Sequence, residues 1–293
     1  MTRRWTTRLA VALGCLVAAA TSLQADDTAA PAEPAAATYI GADLCAGCHE
    51  DAAASYAKTP HAAPLASESR PESARGCEAC HGPGSLHFEQ GGTGAIQAFR
   101  TTDSARERSA PCLACHGGAS PLHDWRAGEH AKAGIACTDC HELHGGTGDA
   151  LLHEKTPALC YGCHLDVRAQ FALPERHRVD EHALSCSDCH TPHGSQNEAS
   201  LLRPDNRTCL SCHNELTGPF VFEHAGLVIE GCGSCHVPHG SVNRHLLNYQ
   251  QVASLCYQCH TVTPSDHVQP SYRDCTRCHV DIHGSNLDPH FLQ

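Results

Sequence analysis

The stretch CSDCHTPHGS, residues 186–195, decides how the rest of the chain can fold. Cys186 and Cys189 are separated by two residues, and His190 follows the second cysteine directly. This is the spacing for covalent attachment of a c-type haem, in which the thiols bond the porphyrin and the histidine binds the iron. His193 lies beyond His190 by a span of only about 10 Å of extended chain, so it cannot easily reach the opposite face of the same iron. The simpler geometry sends His193 to the iron of a neighbouring haem.

The same motif occurs ten times, and we number the motifs 1–10 in chain order. The first cysteines are Cys45, Cys77, Cys112, Cys137, Cys160, Cys186, Cys209, Cys232, Cys256 and Cys275. The second cysteines are Cys48, Cys80, Cys115, Cys140, Cys163, Cys189, Cys212, Cys235, Cys259 and Cys278. The histidines that follow them, the predicted proximal iron ligands, are His49, His81, His116, His141, His164, His190, His213, His236, His260 and His279.

This regularity separates haem attachment from other uses of paired cysteines. Zinc ribbons and disulfide frameworks also contain such pairs, but neither requires a histidine after every pair. With 25 histidines in 293 residues, chance would place one there about one time in twelve. We therefore predict that the twenty motif cysteines bind ten c-type haems covalently.

The second ligand of each iron must also be a histidine, or be missing. The only methionine is Met1, so the mature protein cannot supply the His/Met ligation that raises haem potential. Fifteen histidines remain for ten distal positions, and five repeats offer two each. The predicted distal ligands are His61, His87, His130, His144, His177, His193, His224, His239, His267 and His283, with His182 as the alternative to His177. The others, His123, His153, His245, His290 and whichever of that pair is unused, are predicted to be solvated or to bond haem propionates.

The spacing of the motifs predicts a repeat architecture. Motifs 3, 5, 7 and 9 begin at residues 112, 160, 209 and 256, at intervals of 48, 49 and 47. We therefore divide the chain into a first di-haem repeat with an insert, residues 39–111, and four further di-haem repeats of about 48 residues in 112–293. Leu, Ile, Val and Phe make up only 49 of 293 residues, so haems rather than aliphatic side chains must form the core. The predicted fold class is a multihaem cytochrome c, elongated and low in secondary structure, with short α-helices and irregular loops wrapped round a chain of haems.

Local patterns predict a few elements within this framework. The charged connector TDSARERS, residues 102–109, is predicted to be a helix ended by Pro111. Apolar residues at helical spacing predict a helix over 156–171, and a brief strand is predicted at Pro219–Phe222. Elsewhere Pro, Gly and His dominate, which favours irregular chain.

The N-terminal region predicts export. A basic segment precedes an apolar run over residues 9–23, so residues 1–25 are predicted to be a signal peptide and residues 26–38 a disordered Ala/Pro linker. A membrane anchor, or a lipoprotein cysteine at Cys15, fits this pattern less well. Without the three arginines of the signal, 17 Lys and Arg face 32 Asp and Glu, a formal charge of −15. A chain with this much negative charge is a poor nucleic-acid binder. No segment after the signal is long and apolar enough to predict a transmembrane helix.

Several stretches resemble periplasmic decahaem cytochromes of the MtrA/DmsE type. They are HAGLVIEGCGSCHVPHGSVNRHLL (224–247), DWRAGEHAKAGIACTDCHELHG (124–145) and CTRCHVDIHGSN (275–286), and the resemblance extends over residues 39–293. The family usually has His-Pro-Val before motif 6; its histidine falls on His177, which we therefore prefer to His182, although Arg178 replaces the proline. The resemblance implies an elongated haem wire in the periplasm. In one branch the wire sits in an outer-membrane β-barrel porin and passes electrons to an extracellular multihaem cytochrome; in the other, electrons reach a terminal reductase.

The favoured function is therefore an electron carrier without catalytic residues. It would connect a periplasmic or inner-membrane cytochrome with an acceptor at or beyond the outer membrane, within a porin–cytochrome conduit. One alternative is a soluble periplasmic shuttle to a terminal reductase. Another is a multihaem reductase of nitrite or sulfur oxyanions, which needs an iron with an open position. A periplasmic charge store without a dedicated partner is the third.

Overall fold

The computed structural model describes residues 36–146, 148, 150–261, 267 and 274–292. The predicted signal peptide, and the predicted linker as far as residue 35, lie outside the described residues. Residues Ala37–Gln293 form one structural unit. Among the described residues, none of the helices has both the length and the apolar character needed to cross a bilayer.

Short helices joined by irregular chain make up this unit. In the described residues the α-helices are α1 Ala42–Ala46, α2 Glu50–Tyr56, α3 Ala62–Leu65, α4 Glu78–His81, α5 Ser85–Glu89, α6 Ala105–His116, α7 Glu129–Lys132, α8 Ala158–Tyr161, α9 Leu165–Phe171, α10 Arg207–Leu210, α11 Ala225–Glu230 and α12 Val252–Cys256. The strands β1 (Glu175–Arg176) and β2 (Gly240–Ser241) pair antiparallel, with Arg176 opposite Gly240. This confirms the predicted class, a multihaem cytochrome with short helices, little strand and much irregular chain.

The local structure of the motifs alternates along the chain. The first cysteine of every odd-numbered motif lies in an α-helix: α1, α6, α8, α10 and α12. Motifs 4, 6, 8 and 10 instead begin with single 3-10 turns, Cys137–Asp139, Cys186–Asp188, Cys232–Ser234 and Cys275–Arg277. Two kinds of motif conformation therefore alternate along these repeats.

Three of the predicted elements differ from the structure. Helix α6 does not end at Pro111 but continues to His116, because a capping box between Ser104 and Glu107 starts it firmly and Pro111 removes only one backbone donor. The expected strand at Pro219–Phe222 is reduced to a single bridge between Phe222 and Ser285. The predicted helix over 156–171 is present as two helices, α8 and α9, separated by the middle of motif 5.

Buried apolar side chains are few and scattered. Among the described residues those that are buried are Leu65, Trp125, Ala136, Leu151, Tyr161, Phe171, Val179 and Ala253. Tyr161, Phe171 and Val179 form the one cluster of buried residues in the described chain. So small a protein core cannot offset the conformational entropy lost by ordering this many residues.

An ion pair between the buried Arg108 and the exposed Asp139 joins helix α6 to motif 4. The Arg108 guanidinium donates to both carboxylate oxygens of Asp139 and to the hydroxyl of Thr138, and its side chain is only 10% exposed. Burial opposes ionisation of Asp139, but hydrogen bonds from Arg108 and from the Ala136 N–H outweigh it and lower the pKa of the carboxyl. The pair therefore stabilises the fold above the ordinary pKa range of aspartate, and this contribution is lost as the pH falls through the lowered pKa.

Substituting Arg108→Ala is expected to lower the free energy of unfolding by about 2 kcal/mol at neutral pH, because it removes a buried side chain and its hydrogen bonds to Asp139 and Thr138. The difference from the wild type should shrink as the pH falls and Asp139 takes up a proton. Arg277→Ala is the matched control. Arg277, in motif 10, lies 4.0 Å from Asp274, but its side chain is 77% exposed. A loss of less than about 1 kcal/mol is therefore expected. Denaturant titration of the holo-proteins at several pH values measures both; equal losses would contradict this account.

Candidate haem sites

Each of the ten motif histidines has a second histidine ring beside it. The pairs are His49–His87, His81–His144, His116–His61, His141–His193, His164–His130, His190–His239, His213–His177, His236–His283, His260–His224 and His279–His267. The second members are the ten histidines that the sequence nominated as distal ligands. The structure brings His177, and not His182, next to His213.

The spacing of the paired rings suits a metal ion between them. The ring centroids lie 5.8 Å apart in the closest pair and 6.3 Å apart in the widest. Two imidazoles that bind one metal from opposite sides, with metal–nitrogen bonds of about 2.0–2.1 Å, have centroids about 6 Å apart. The cysteines of each motif precede one ring of its pair directly, so the residues present fit a covalently attached haem with two histidine ligands.

The cysteines predicted to attach the haems are all free thiols in the structure, and none is fully buried. The first cysteine of every motif is half-buried, as are the second cysteines Cys80, Cys140 and Cys235. The remaining second cysteines are exposed: Cys48, Cys115, Cys163, Cys189, Cys212, Cys259 and Cys278. Thioether attachment needs two reduced, accessible sulfurs in each motif, and these twenty thiols satisfy that condition.

The pairs follow two interleaved series along the chain. For motifs 2, 4, 6 and 8, the partner is the His-Gly histidine that follows the next even-numbered motif. For motifs 3, 5, 7 and 9, the partner comes from the chain segment upstream of the preceding even-numbered motif. His193 accordingly lies beside His141 and not beside His190, the motif histidine three residues before it. The terminal pairs His49–His87 and His267–His279 stay within their own repeats.

Glycine after the distal histidine permits this reach into another repeat. A Cβ at Gly240 would overlap the backbone carbonyl oxygen of Gln170, because β2 lies against the end of helix α9. At Gly194, which has a φ of +94°, a Cβ would come within 3.0 Å of the Asp124 carbonyl oxygen. These glycines let the backbones approach closely enough for His239 and His193 to reach the neighbouring repeat.

Histidines of the even-numbered motifs are oriented by the backbone that follows them. In each, Nδ1 hydrogen-bonds a carbonyl oxygen: His81 to Gln97, His141 to Ala150, His190 to Ala199, His236 to His245 and His279 to His290, over 2.5–2.8 Å. In motifs 4, 6 and 8 the chain folds back on the motif through single antiparallel bridges to a leucine. With Nδ1 engaged, Nε2 is left to bind a metal, and the carbonyl raises the basicity of the ring as a ligand.

In four of the five odd-numbered sites, it is the partner histidine that bonds a carbonyl. His87 bonds the carbonyl oxygen of Gly94, His130 that of Pro192, His177 that of Pro238 and His224 that of Ile282. Pro192 and Pro238 directly precede His193 and His239, two of the predicted distal ligands. One backbone segment thus positions ligands of two different sites.

Burial keeps several of these rings in the form that binds iron. Desolvation, assisted in each case by the paired histidine, lowers the pKa of six rings: His61, His81, His193, His224, His239 and His283. A lowered pKa favours the neutral imidazole, whose free nitrogen is the metal ligand.

The cysteines show which motifs are neighbours. The first cysteines of consecutive motifs interact directly in the pairs Cys45–Cys77, Cys112–Cys137, Cys160–Cys186, Cys209–Cys232 and Cys256–Cys275. Between motifs 2 and 3, 4 and 5, 6 and 7, and 8 and 9, other cysteines lie near enough to affect each other's pKa electrostatically: Cys80 and Cys115, Cys140 and Cys163, Cys189 and Cys212, and Cys235 and Cys256. The motifs therefore adjoin one another in chain order.

The remaining histidines lie outside the ring pairs. His123 is 78% exposed beside Asp124, His153 bonds the Thr138 carbonyl oxygen, and His182 has a φ of +57°. The backbone carbonyl oxygens of His245 and His290 hydrogen-bond the rings of the motif histidines His236 and His279. Sequence reasoning missed this role, since a carbonyl has no residue-type signal. It also missed Trp125 and Phe171, whose rings pack on His193 and His239.

Comparison with known proteins agrees with the geometry. The family described as "Doubled CXXCH motif" matches residues 129–169, 177–218 and 224–264. Each match pairs an even-numbered motif with the odd-numbered motif that follows, whereas our repeats pair the odd-numbered motif with the even-numbered one. Multiheme cytochrome MtrA of Shewanella baltica (strain OS185) is 35% identical over 243 residues, which cover 76% of this chain and 71% of the relative. This chain belongs to the MtrA-type family of multihaem c-type cytochromes, electron-transfer proteins with covalently bound haem.

Proposed function

We propose that this chain is a decahaem electron carrier in which all ten irons have two histidine ligands. The motif cysteines hold each haem, the motif histidine supplies the proximal ligand, and its ring partner supplies the distal ligand. The observation that carries this proposal is that every motif histidine lies beside a second histidine at 5.8–6.3 Å. When bound, the haems supply one-electron chemistry; the protein sets their order, ligation and burial.

The order of the motifs supports a continuous path. First cysteines interact directly within each proposed repeat, 39–111 and the four repeats of 112–293, and other cysteines lie close enough to interact electrostatically between repeats. The distal histidines then tie each repeat to another through the iron. These contacts favour a wire whose steps follow the chain from motif 1 to motif 10.

The same ligand set argues against a reductase. Reduction of nitrite, hydroxylamine or a sulfur oxyanion needs an iron with an open position, and in our proposal both axial positions of every iron are filled. We therefore expect no turnover of these substrates by the purified protein with reduced viologen. Turnover at a rate typical of enzymes would overturn the assignment as a carrier.

We further propose that the wire works in the periplasm, between a periplasmic or inner-membrane cytochrome and an acceptor at or beyond the outer membrane. The predicted signal sequence and the family resemblance support this placement. The partners would be an outer-membrane β-barrel porin around the wire and an extracellular multihaem cytochrome.

Fractionation of the native cells tests the partner assignment. Membranes solubilised in mild detergent should yield a haem-stained band that co-migrates with a large β-barrel protein in size exclusion, identified by mass spectrometry. Recovery of the chain as a free monomer in the periplasmic fraction would overturn the conduit and leave a soluble shuttle.

A further inference from the structure

We propose that the His61–His116 pair gives the haem of motif 3 the highest reduction potential of the ten, so that electrons collect there first. The inference rests on the proposed two-histidine ligation. It goes beyond the ligand set, which is the same at all ten sites, because it assigns one site a different reduction potential from the other nine.

The distinguishing feature is a missing hydrogen bond on the ligand rings. In His61 the Nδ1 atom is buried and has no hydrogen-bond partner. Within the described residues, no hydrogen bond from the His116 ring is found either. At each of the other nine sites, at least one of the two imidazoles bonds a backbone carbonyl through a ring nitrogen.

Hydrogen bonding at the ring nitrogen that does not bind the metal alters the iron through the ligand. A carbonyl acceptor draws the N–H proton and makes the imidazole a stronger electron donor, which stabilises ferric over ferrous iron and lowers the potential. The site of motif 3 has no carbonyl acceptor on either ring: the exposed His116 ring can meet only solvent, and the His61 nitrogen is buried. The burial of the His61 nitrogen also excludes solvent as a substitute acceptor.

Nearby groups do not supply the missing acceptor. The Tyr56 hydroxyl reaches only the backbone carbonyl of His61, and the Thr59 hydroxyl is buried without a partner of its own. The two ligand rings of this site are therefore left without a carbonyl acceptor.

Ring orientation marks the same site for spectroscopy. The planes of His61 and His116 are 80° apart, the most nearly perpendicular of the ten pairs; the next is His177–His213 at 65°. Perpendicular imidazole planes leave two iron d orbitals nearly equal in energy, which gives a highly anisotropic low-spin ferric EPR signal. Near-parallel rings, as in His224–His260 at 12°, give a rhombic signal instead.

A redox titration of the wild-type holo-protein followed by EPR tests the proposal. The most anisotropic low-spin signal should be the first to disappear as the potential is lowered. Its disappearance after the rhombic signals would overturn the inference. A high-spin ferric signal in the starting protein would instead overturn the two-histidine ligation on which the inference rests, so the two failures are distinguishable.

Two variants assign the signal. His61→Ala removes the distal histidine of motif 3, and the first-reduced signal of the wild type should be absent. His130→Ala, the matched control, removes the distal histidine of motif 5, whose Nδ1 bonds the Pro192 carbonyl oxygen; the first-reduced signal should remain. Persistence of that signal in His61→Ala, or its loss in His130→Ala, would contradict the assignment. If either variant fails to mature, the order of reduction in the wild type decides.

Discussion

Produced without haem, the mature chain is expected to be unfolded. Its far-UV circular dichroism should be that of a random coil, and heating or urea should reveal no cooperative transition. The reason is the sparse apolar core: in the described residues, the buried side chains form a single cluster of three residues. Burial on that scale is far smaller than the entropic cost of ordering more than about two hundred residues, about 1–2 kcal/mol each for the backbone alone.

The stability of the apo-protein is compared with that of the holo-protein, and a variant that lacks one haem attachment site measures how much a single haem contributes. Cys186→Ser with Cys189→Ser removes covalent attachment at motif 6 only. We expect that variant to unfold at lower denaturant concentration than the wild type, while keeping a cooperative transition. An apo-protein with native-like helical signal and a sharp unfolding transition would show that the polypeptide supplies its own core.

Gly240→Ala is expected to disturb one haem site without touching a ligand. The new methyl group would overlap the Gln170 carbonyl oxygen at the end of α9, push β2 away from that helix and draw His239 away from His190. Overpacking of this kind costs about 1–3 kcal/mol. Since His239 is the proposed distal ligand of motif 6, the ferric protein should gain a high-spin EPR signal equivalent to one haem.

Gly145→Ala is the matched control, because Gly145 also follows a distal histidine, His144. A Cβ there meets no atom within 4 Å, and the backbone conformation suits alanine. This variant should keep the wild-type EPR spectrum and stability. A purely low-spin Gly240→Ala protein, or a high-spin signal in both variants, would contradict the proposed contact between repeats.

The residues of the sites could be nominated from sequence, but their pairing could not. The ten motif histidines follow from a local spacing, and the partners follow from counting histidines by repeat, except that the family resemblance was needed to prefer His177 to His182. His190 and His239, however, form a pair although they are 49 residues apart in the chain. His190 and His193 belong to different pairs although only two residues separate them. Only the three-dimensional contact between repeats determines such pairs.

Other features escaped prediction for local reasons. Helix α6 continues through Pro111 because its start is secured by the Ser104–Glu107 capping box and its middle by Arg108. The carbonyls that accept from the histidines come from residues as unlike as Gln97, Ala150 and His245, since only their backbone is used. Several precede residues in the left-handed conformation, such as Leu151 and Leu246, which propensity rules disfavour there.

The most direct test of the central claim is a quantitative EPR spectrum of the fully oxidised holo-protein, with the haem content per chain determined by mass spectrometry. Ten haems per chain, all low-spin, are the result predicted by ten pairs of histidine ligands. A high-spin ferric signal amounting to one or more haems per chain would show an iron with an open position and contradict the account.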